Sequence, residues 1–134
     1  MILSFIILFF TLFSPVLANQ DFNLNQDMTY QINSQGDAVI TQELELINNY
    51  SEIFPKNYQI NISSKNITNI ASHDNFGNIL QKTEQQDEQT IIYLKFNQPA
   101  TGKNQITKFN LTYTIPSFAT KKGNTWEISL PDFQ

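Results

Sequence analysis

Short runs in which every second residue is apolar make up most of this chain, and each run ends at turn-forming residues. The run Phe109–Ile115, for example, carries Phe, Leu, Tyr and Ile at alternate positions until Pro116 ends it. A period of two buries one face of a β-strand and leaves the other in solvent. After the first 18 residues, no segment is long enough at helical period to predict a helix. The pattern therefore predicts an all-β fold.

The runs number about eight, at the spacing typical of a β-sandwich or barrel. The first two, Phe22–Ile32 and Ala38–Ile47, flank a turn in which Gly36 supplies a positive φ, so they predict a hairpin. Thr90–Phe96 is apolar on both faces, which predicts a central strand. We expect an antiparallel β-sandwich of about eight short strands, preceded by a helical signal segment.

Two polar segments separate the later runs. Thr83–Gln89 is predicted to be an acidic bend, and Lys121–Asn124 is predicted to be a turn. Trp126, Ile128 and Leu130 then alternate with polar residues, which predicts a last strand.

Length and composition restrict the function classes. Residues 19–134 are enough for a single domain, and its abrupt end shortly after a strand leads us to expect a truncated or excised domain. A formal net charge of −4, with eight dispersed basic residues, argues against nucleic-acid binding. Because cysteine is absent, a disulfide framework, a thiolate metal site and a cysteine nucleophile are excluded. We predict no metal and no cofactor.

The first 18 residues have the layout of a secretory signal peptide. Met1–Phe13 is almost entirely apolar, Pro15 follows, and the small residues Val16 and Ala18 precede polar Asn19. We expect cleavage between Ala18 and Asn19, with an uncleaved membrane anchor as the alternative. The sequence thus predicts an extracytoplasmic protein, either secreted or held at the outer face of the cytoplasmic membrane.

Few residues form a catalytic pattern. His73 precedes Asp74, but no nucleophile accompanies this pair, and a triad needs all three roles filled. Glu43 and Glu45 share a strand face and resemble an acid–base pair, although that face is the one expected to be solvated. Asp74, Asn75 and Asn78 lack the later Glu of a calcium loop, so they predict a simple turn. No catalytic residue is assigned.

Two groups of residues are weak candidates for surface chemistry. Asn-x-Ser/Thr triplets, which are glycan acceptors in a eukaryotic secretory pathway, begin at Asn49, Asn61, Asn66 and Asn110. Four aromatic residues are candidates for contact with a sugar or peptide: Tyr58, Tyr93, Tyr113 and Trp126. The register of Tyr113 and Trp126 with apolar neighbours favours burial in the core instead.

The order of the motifs resembles the N-terminal β-rich region of exported bacterial transglutaminase-like proteins. The similarity covers roughly residues 27–131 and rests on Tyr30-x-Ile32, Gly36-Asp37, Leu46-Ile47-Asn48-Asn49, Pro55-Lys56-Asn57-Tyr58, Asp74-x-x-Gly77, Leu94-Lys95-Phe96, Gly102-Lys103, Phe109-x-Leu111-x-Tyr113 and Trp126-Glu127-Ile128. In that family, a signal peptide and a β-sandwich region precede a papain-like transglutaminase domain, often followed by a membrane anchor.

The resemblance implies a similar place in the cell envelope but no enzymatic activity. The family's catalytic set consists of Cys, His and Asp, and this chain has no cysteine. We therefore predict a non-catalytic extracytoplasmic module that contacts a protein or another component of the cell envelope. The alternative is a free-standing secreted protein that binds a glycan or a peptide, through exposed aromatic residues or by strand addition at a sheet edge.

Overall fold

The computed structural model describes residues 20–128 and 130, and this part of the chain is all β, with no helix. It contains ten strands rather than the predicted eight or so. They are β1 (Phe22–Ile32), β2 (Ala38–Asn48), β3 (Asn57–Ile62), β4 (Thr68–Asp74), β5 (Gly77–Asn78), β6 (Leu80–Gln86), β7 (Gln89–Lys95), β8 (Ile106–Ile115), β9 (Ala119–Lys122) and β10 (Thr125–Ile128).

The strands form three antiparallel sheets. The largest has the order β1-β2-β8-β4-β5, the second has the order β3-β7-β6, and β9 and β10 form a separate hairpin. The predicted first hairpin is confirmed, since β1 pairs with β2 and Gly36 between them has a φ of 91°. The prediction that Thr90–Phe96 is central is also confirmed, because β7 lies in the middle of its sheet.

One hydrophobic core lies between the five-stranded and the three-stranded sheet. Alternate residues of β2 and β8 face alternate residues of β3 and β7, and the core includes Ile40, Leu44, Leu46, Ile60, Ile62, Ile92, Leu94, Phe109, Leu111 and Tyr113. Phe109 joins the sheets through its ring, whose centroid lies 4.8 Å from that of Phe96 and 5.4 Å from that of Tyr58. Burying each such side chain stabilises the fold by about 1.5–3 kcal/mol.

A polar pair lies inside this core. The Nε2 of Gln42 donates a hydrogen bond of 2.8 Å to the hydroxyl of Tyr113, and both side chains are buried. Burial raises the pKa of Tyr113 well above its ordinary value, while the hydrogen bond from Gln42 acts in the opposite direction. The phenol therefore stays neutral and links β2 to β8.

The chain crosses from the larger sheet to the smaller one at Ile79. Its backbone N–H donates to the carbonyl of Ser72 in β4 at 2.9 Å, and β6 begins at the next residue. Gln81 of β6 then bonds to β4, because its Nε2 donates to the carbonyl of Ile70 at 2.7 Å and its Oε1 accepts from the Ser72 hydroxyl at 2.9 Å. The β6 edge of the smaller sheet is thus tied to β4.

The core is less well covered at the β1 edge of the larger sheet. The smaller sheet has two strands fewer than the larger one. On β1, the core-side residues Leu24 and Ile32 are exposed, whereas their β2 counterparts are buried. The edge strand β1 therefore extends past the smaller sheet.

Two sequence predictions about polar segments were wrong. Within Thr83–Gln89, residues up to Gln86 belong to β6 and the turn is confined to Asp87 and Glu88. Lys121 and Lys122 belong to β9, so that turn consists of Gly123 and Asn124. In both cases polar side chains lie on strands whose faces are open to solvent, where alternation carries no signal.

Candidate functional site

The paired carboxylates of β2 lie on the outer, solvated face of the larger sheet. Glu45 accepts a hydrogen bond from the Nζ of Lys108 at 2.6 Å and from the Nδ2 of Asn25 at 3.4 Å. The bond from Lys108, followed by that from Asn25, lowers the pKa of Glu45. Glu43 lies opposite Asp27 of β1, and no hydrogen bond or ion pair joins the Glu43 side chain to the described residues. Glu45 therefore forms an ion pair, whereas the carboxylate of Glu43 is exposed to solvent.

His73 and Asp74 also have separate partners. The Nε2 of His73 lies 3.1 Å from the Nδ2 of Asn110 on the exposed face of the larger sheet. The Oδ1 of Asp74 accepts hydrogen bonds from the backbone N–H of Phe76 at 2.8 Å and from the Nδ2 of Asn97 at 3.1 Å. Asp74 thus shapes the turn between β4 and β5, as predicted. Within residues 20–128 and 130, no three His, Asp or Glu side chains are grouped to hold a metal ion.

The four Asn-x-Ser/Thr asparagines have different surroundings. The Nδ2 of Asn49 donates to the carbonyl of Gln20 at 2.7 Å, and the Nδ2 of Asn110 lies against His73. Asn61 accepts a bond of 2.9 Å from Gln59. Asn66 is exposed. The side-chain nitrogen that would carry a glycan is therefore already bonded in Asn49 and Asn110.

The four aromatic candidates do not share a surface. Tyr113 is buried, as its register predicts, and Tyr58 is half-buried against Phe109, where burial raises its pKa. Tyr93 lies on the outer face of the smaller sheet, beside exposed Leu80 in a shallow cleft of about 340 Å³. The predicted burial of Trp126 was wrong, because it is 44% exposed on the β9–β10 hairpin, whose strands pair with no other described strand.

Two clefts lie at opposite ends of the sheets. We call the end where β1 stops and β2 starts, together with the β9–β10 hairpin, the hairpin end. The other end, where β2 stops and β8 starts, we call the loop end, and it carries residues 97–105. Because β8 connects them, the ends are about 30 Å apart.

The cleft at the hairpin end has a volume of about 480 Å³ and is mostly apolar. Alternation in β10 places Trp126 and Ile128 on one face of the hairpin, with Glu127 on the other, where it pairs with Lys122 at 2.6 Å. Ile32, at the end of β1, forms the facing wall of the cleft. Three large apolar side chains from two elements are thus open to solvent at one place.

Hydrogen bonds from two backbone N–H groups attach the hairpin to the rest of the protein. The N–H of Ala119 donates to the carbonyl of Gly36 at 2.8 Å, and the N–H of Ser117 donates to the Oδ1 of Asp37 at 3.0 Å. Next to these bonds, the ring of Phe118 stacks on that of Tyr30 with centroids 5.7 Å apart. The hairpin is therefore held at its base, and its tip projects from the fold.

The cleft at the loop end has a volume of about 340 Å³ and is lined by both polar and apolar groups. It lies between residues 98–101, the start of β8 and the turn after β4. Phe76 of that turn is 59% exposed, and Asp74, Asn75 and Gln98 supply polar groups next to it. Sequence reasoning missed Phe76, because a residue inside a turn has no period from which exposure can be inferred.

Asn48 anchors the loop that forms one wall of this cleft. Its side chain is fully buried, and its Nδ2 donates to the carbonyls of Ala100 at 2.9 Å and Gly102 at 3.0 Å. Its Oδ1 has no hydrogen-bond partner in the described residues. The sequence signal for this anchor was Asn48 at a core-facing position of β2, where an apolar residue is expected.

The sequence matches no known protein family and no curated protein. The resemblance to the transglutaminase-like N-terminal region stays a prediction. The predicted cleavage site at Ala18 and Asn19 lies outside the residues that the structure describes. Among the described residues there is no helix of the length and apolar character needed to cross a membrane.

Proposed function

We propose that this chain is a non-catalytic, extracytoplasmic β-sandwich module whose hairpin end binds another domain or protein of the cell envelope. The exposed apolar cleft formed by Trp126, Ile128 and Ile32 is the observation that carries the proposal. Clustered apolar side chains on a protein surface mark interaction sites, and tryptophan is among the residues enriched where binding energy concentrates. Single exposed apolar residues are ordinary, but this cluster draws on two separate elements.

Sequence features support the location and the architecture. The apolar segment Met1–Phe13 and the small residues before Asn19 favour export. The two sheets that face each other across one core support the β-sandwich architecture. The order of motifs supports a relationship to the N-terminal region of transglutaminase-like proteins, in which catalysis belongs to a separate domain. Without a cysteine, this chain has no counterpart of that family's nucleophile.

Site-specific photo-crosslinking in the natural host tests the contact. A benzophenone-bearing residue in place of Trp126 is expected to give one discrete adduct in the cell-envelope fraction. The same group in place of Thr29, exposed on the outer face of β1, serves as the control and is expected to give none. Equal labelling from both positions, or none from Trp126, would contradict the proposal.

Two further measurements test the location and the family context. A mature protein that begins at Asn19 in the exported fraction is expected for a cleaved signal, whereas retention of Met1 in the membrane fraction indicates the anchor. A reading frame that continues past the codon for Gln134 into a cysteine-containing domain would support the accessory role. A stop codon at that point would favour a free-standing protein.

A free-standing peptide-binding protein is the second candidate, and the open edge of β1 favours it. No described strand pairs with the outer edge of this 11-residue strand, so its outward backbone groups are free to accept a peptide by strand addition. Replacing Gln26 by Pro would block that addition. The expected result is loss of peptide binding without loss of the Trp126 crosslink.

A further inference from the structure

We propose that the loop-end cleft is a binding site for a neutral carbohydrate. The site lies about 30 Å from the hairpin end, so it does not depend on the contact proposed for Trp126. Its walls are held by hydrogen bonds, its free groups match those of a sugar, and its charges favour a neutral ligand.

Side-chain hydrogen bonds fix the cleft walls before any ligand binds. Asn97 joins the loop to the turn after β4, because its Nδ2 donates to the Oδ1 of Asp74 and to the carbonyl of Asn78, both at 3.1 Å. Thr107 holds the other side, since its Oγ1 accepts from the N–H of Ala100 at 3.0 Å. Together with the buried Asn48, these bonds tie the loop to β2, β8 and the turn. A preformed site loses less conformational entropy on binding.

The groups left free in the cleft match a sugar. The ring of Phe76 is largely exposed, and the negatively polarised face of an aromatic ring attracts the C–H groups of a pyranose. The Oδ2 of Asp74 makes no hydrogen bond with the described residues, and carboxylate oxygens accept from hydroxyl groups. The amides of Asn75 and Gln98 each provide both a donor and an acceptor. A polyhydroxylated ring with an apolar face uses all of these groups.

Charge and size narrow the ligand class. Among the described residues, Lys108 is the only cationic one that lines the cleft, and its ammonium is paired with Glu45 at 2.6 Å. An anionic ligand would meet the Asp74 carboxylate with no unpaired cation among the described residues that line the cleft. The volume of about 340 Å³ lies at the lower end of the range for small-molecule sites. A neutral mono- or disaccharide therefore fits better than an acidic sugar.

Nuclear magnetic resonance titration of the exported protein tests the site. The probes are maltose, cellobiose, mannobiose and N,N′-diacetylchitobiose as neutral disaccharides, with digalacturonate and triglycine as charged comparisons. At least one neutral disaccharide is expected to shift the backbone resonances of Phe76, Gln98 and Thr101 with millimolar affinity. Shifts from digalacturonate or triglycine alone, or shifts from none of the six probes, would overturn the proposal.

Three variants test the assigned contacts. Phe76→Ala is expected to weaken binding of the responding sugar at least tenfold, and Gln98→Ala at least threefold. Asp74→Asn keeps the oxygen that accepts from the Phe76 N–H but replaces Oδ2 by a donor, and a fivefold loss is expected. Trp126→Ala is the matched aromatic control at the other end and should bind as the parent does. Unchanged affinity in Phe76→Ala would overturn the proposal, and the dispersed spectrum of each variant verifies its fold.

Discussion

The two ends of this domain are built in different ways, although the same two strands, β2 and β8, run through both. At the loop end, the amides of Asn48 and Asn97 hold an irregular segment against its neighbours by bonds to carbonyl and carboxylate oxygens. At the hairpin end, hydrogen bonds from the backbone N–H groups of Ala119 and Ser117 and one stacked ring pair hold the base of the hairpin, and Trp126 remains exposed. Polar anchors thus preform a small cleft at one end, whereas the apolar tip at the other end is open to a larger partner.

The largest expected effect tests how tightly the hairpin end is joined to the fold. In Gly36→Ala, the new Cβ would overlap the carbonyl oxygen of Ala119, at a φ of 91° that side chains rarely adopt. We expect the free energy of unfolding, measured by urea denaturation, to fall by about 3 kcal/mol. Hydrogen exchange should show the amides of β9 and β10 losing protection first.

Gly123 provides the control for that prediction. It also has a positive φ, of 63°, but a Cβ there meets nothing. Gly123→Ala is expected to cost only about 1 kcal/mol from backbone conformation. If Gly36→Ala and Gly123→Ala lowered the free energy of unfolding equally, the close approach of Gly36 to Ala119 would contribute nothing beyond backbone strain.

The next prediction tests the anchor of the loop end. Asn48→Ala removes two hydrogen bonds, so the carbonyl of Ala100 loses its donor and that of Gly102 keeps only the 3.3 Å bond from the N–H of Gln105. We expect unfolding to become easier by about 2 kcal/mol, with faster hydrogen exchange at Asn104, whose N–H donates to the Asn48 carbonyl. The neighbouring Asn49→Ala, whose bonds are exposed, should cost about 0.5 kcal/mol. A smaller loss at Asn48 than at Asn49 would contradict the assigned anchor.

A smaller effect is expected from the exposed aromatic residue at each end. Phe76→Ala should lower the free energy of unfolding by about 1 kcal/mol or less and Trp126→Ala by about 1.5 kcal/mol, because Phe76 is 59% exposed and Trp126 44% exposed. Thermal denaturation of the two variants measures this. A loss above about 3 kcal/mol for either ring, the size typical of a core aromatic, would show that the ring supports the fold rather than a ligand.

The smallest effect concerns acid stability at the loop end. Lys108 lowers the folded-state pKa of Glu45 below its ordinary value of 4.5, so the stabilisation is present above pH 4.5 and is lost as pH falls through the folded pKa. Lys108→Met should therefore lower stability slightly at neutral pH, with the difference from the parent vanishing in acid. Lys103→Met is the control, since Lys103 makes no ion pair in the described residues. A difference that grows as pH falls would reverse the assigned sign.

The alternation of apolar residues was enough to predict the strands of the core. In β2 and β8 it identified the buried face correctly, because both strands have one face in the core and the other in solvent. The alternation wrongly predicted burial for Trp126. This residue alternates with polar neighbours as Tyr113 does, but only Tyr113 is buried. Spacing reports which residues share a face, but only the packing of sheets decides whether that face is covered.

The two clefts could not be predicted from local patterns. The loop-end cleft combines a turn after β4 with residues 98–101 and the start of β8, which are far apart in the chain. Asn97 is an ordinary asparagine in a chain rich in that residue, and the core-facing position of Asn48 marks it as an unusual polar residue without indicating its partners. Their role depends on bonds to carbonyls more than 15 residues away, which no periodicity encodes.

The open edge of β1 carries a safeguard against self-association. Asp27 is its only charged residue and lies at the sixth of its 11 positions. If two copies joined by antiparallel pairing of β1 in symmetric register, the two Asp27 carboxylates would lie side by side, which is unfavourable at neutral pH. A single central charge on an edge strand is a typical gatekeeper against edge-to-edge aggregation. Removing it, as in Asp27→Asn, would leave an 11-residue uncharged edge available to pair with its own copies.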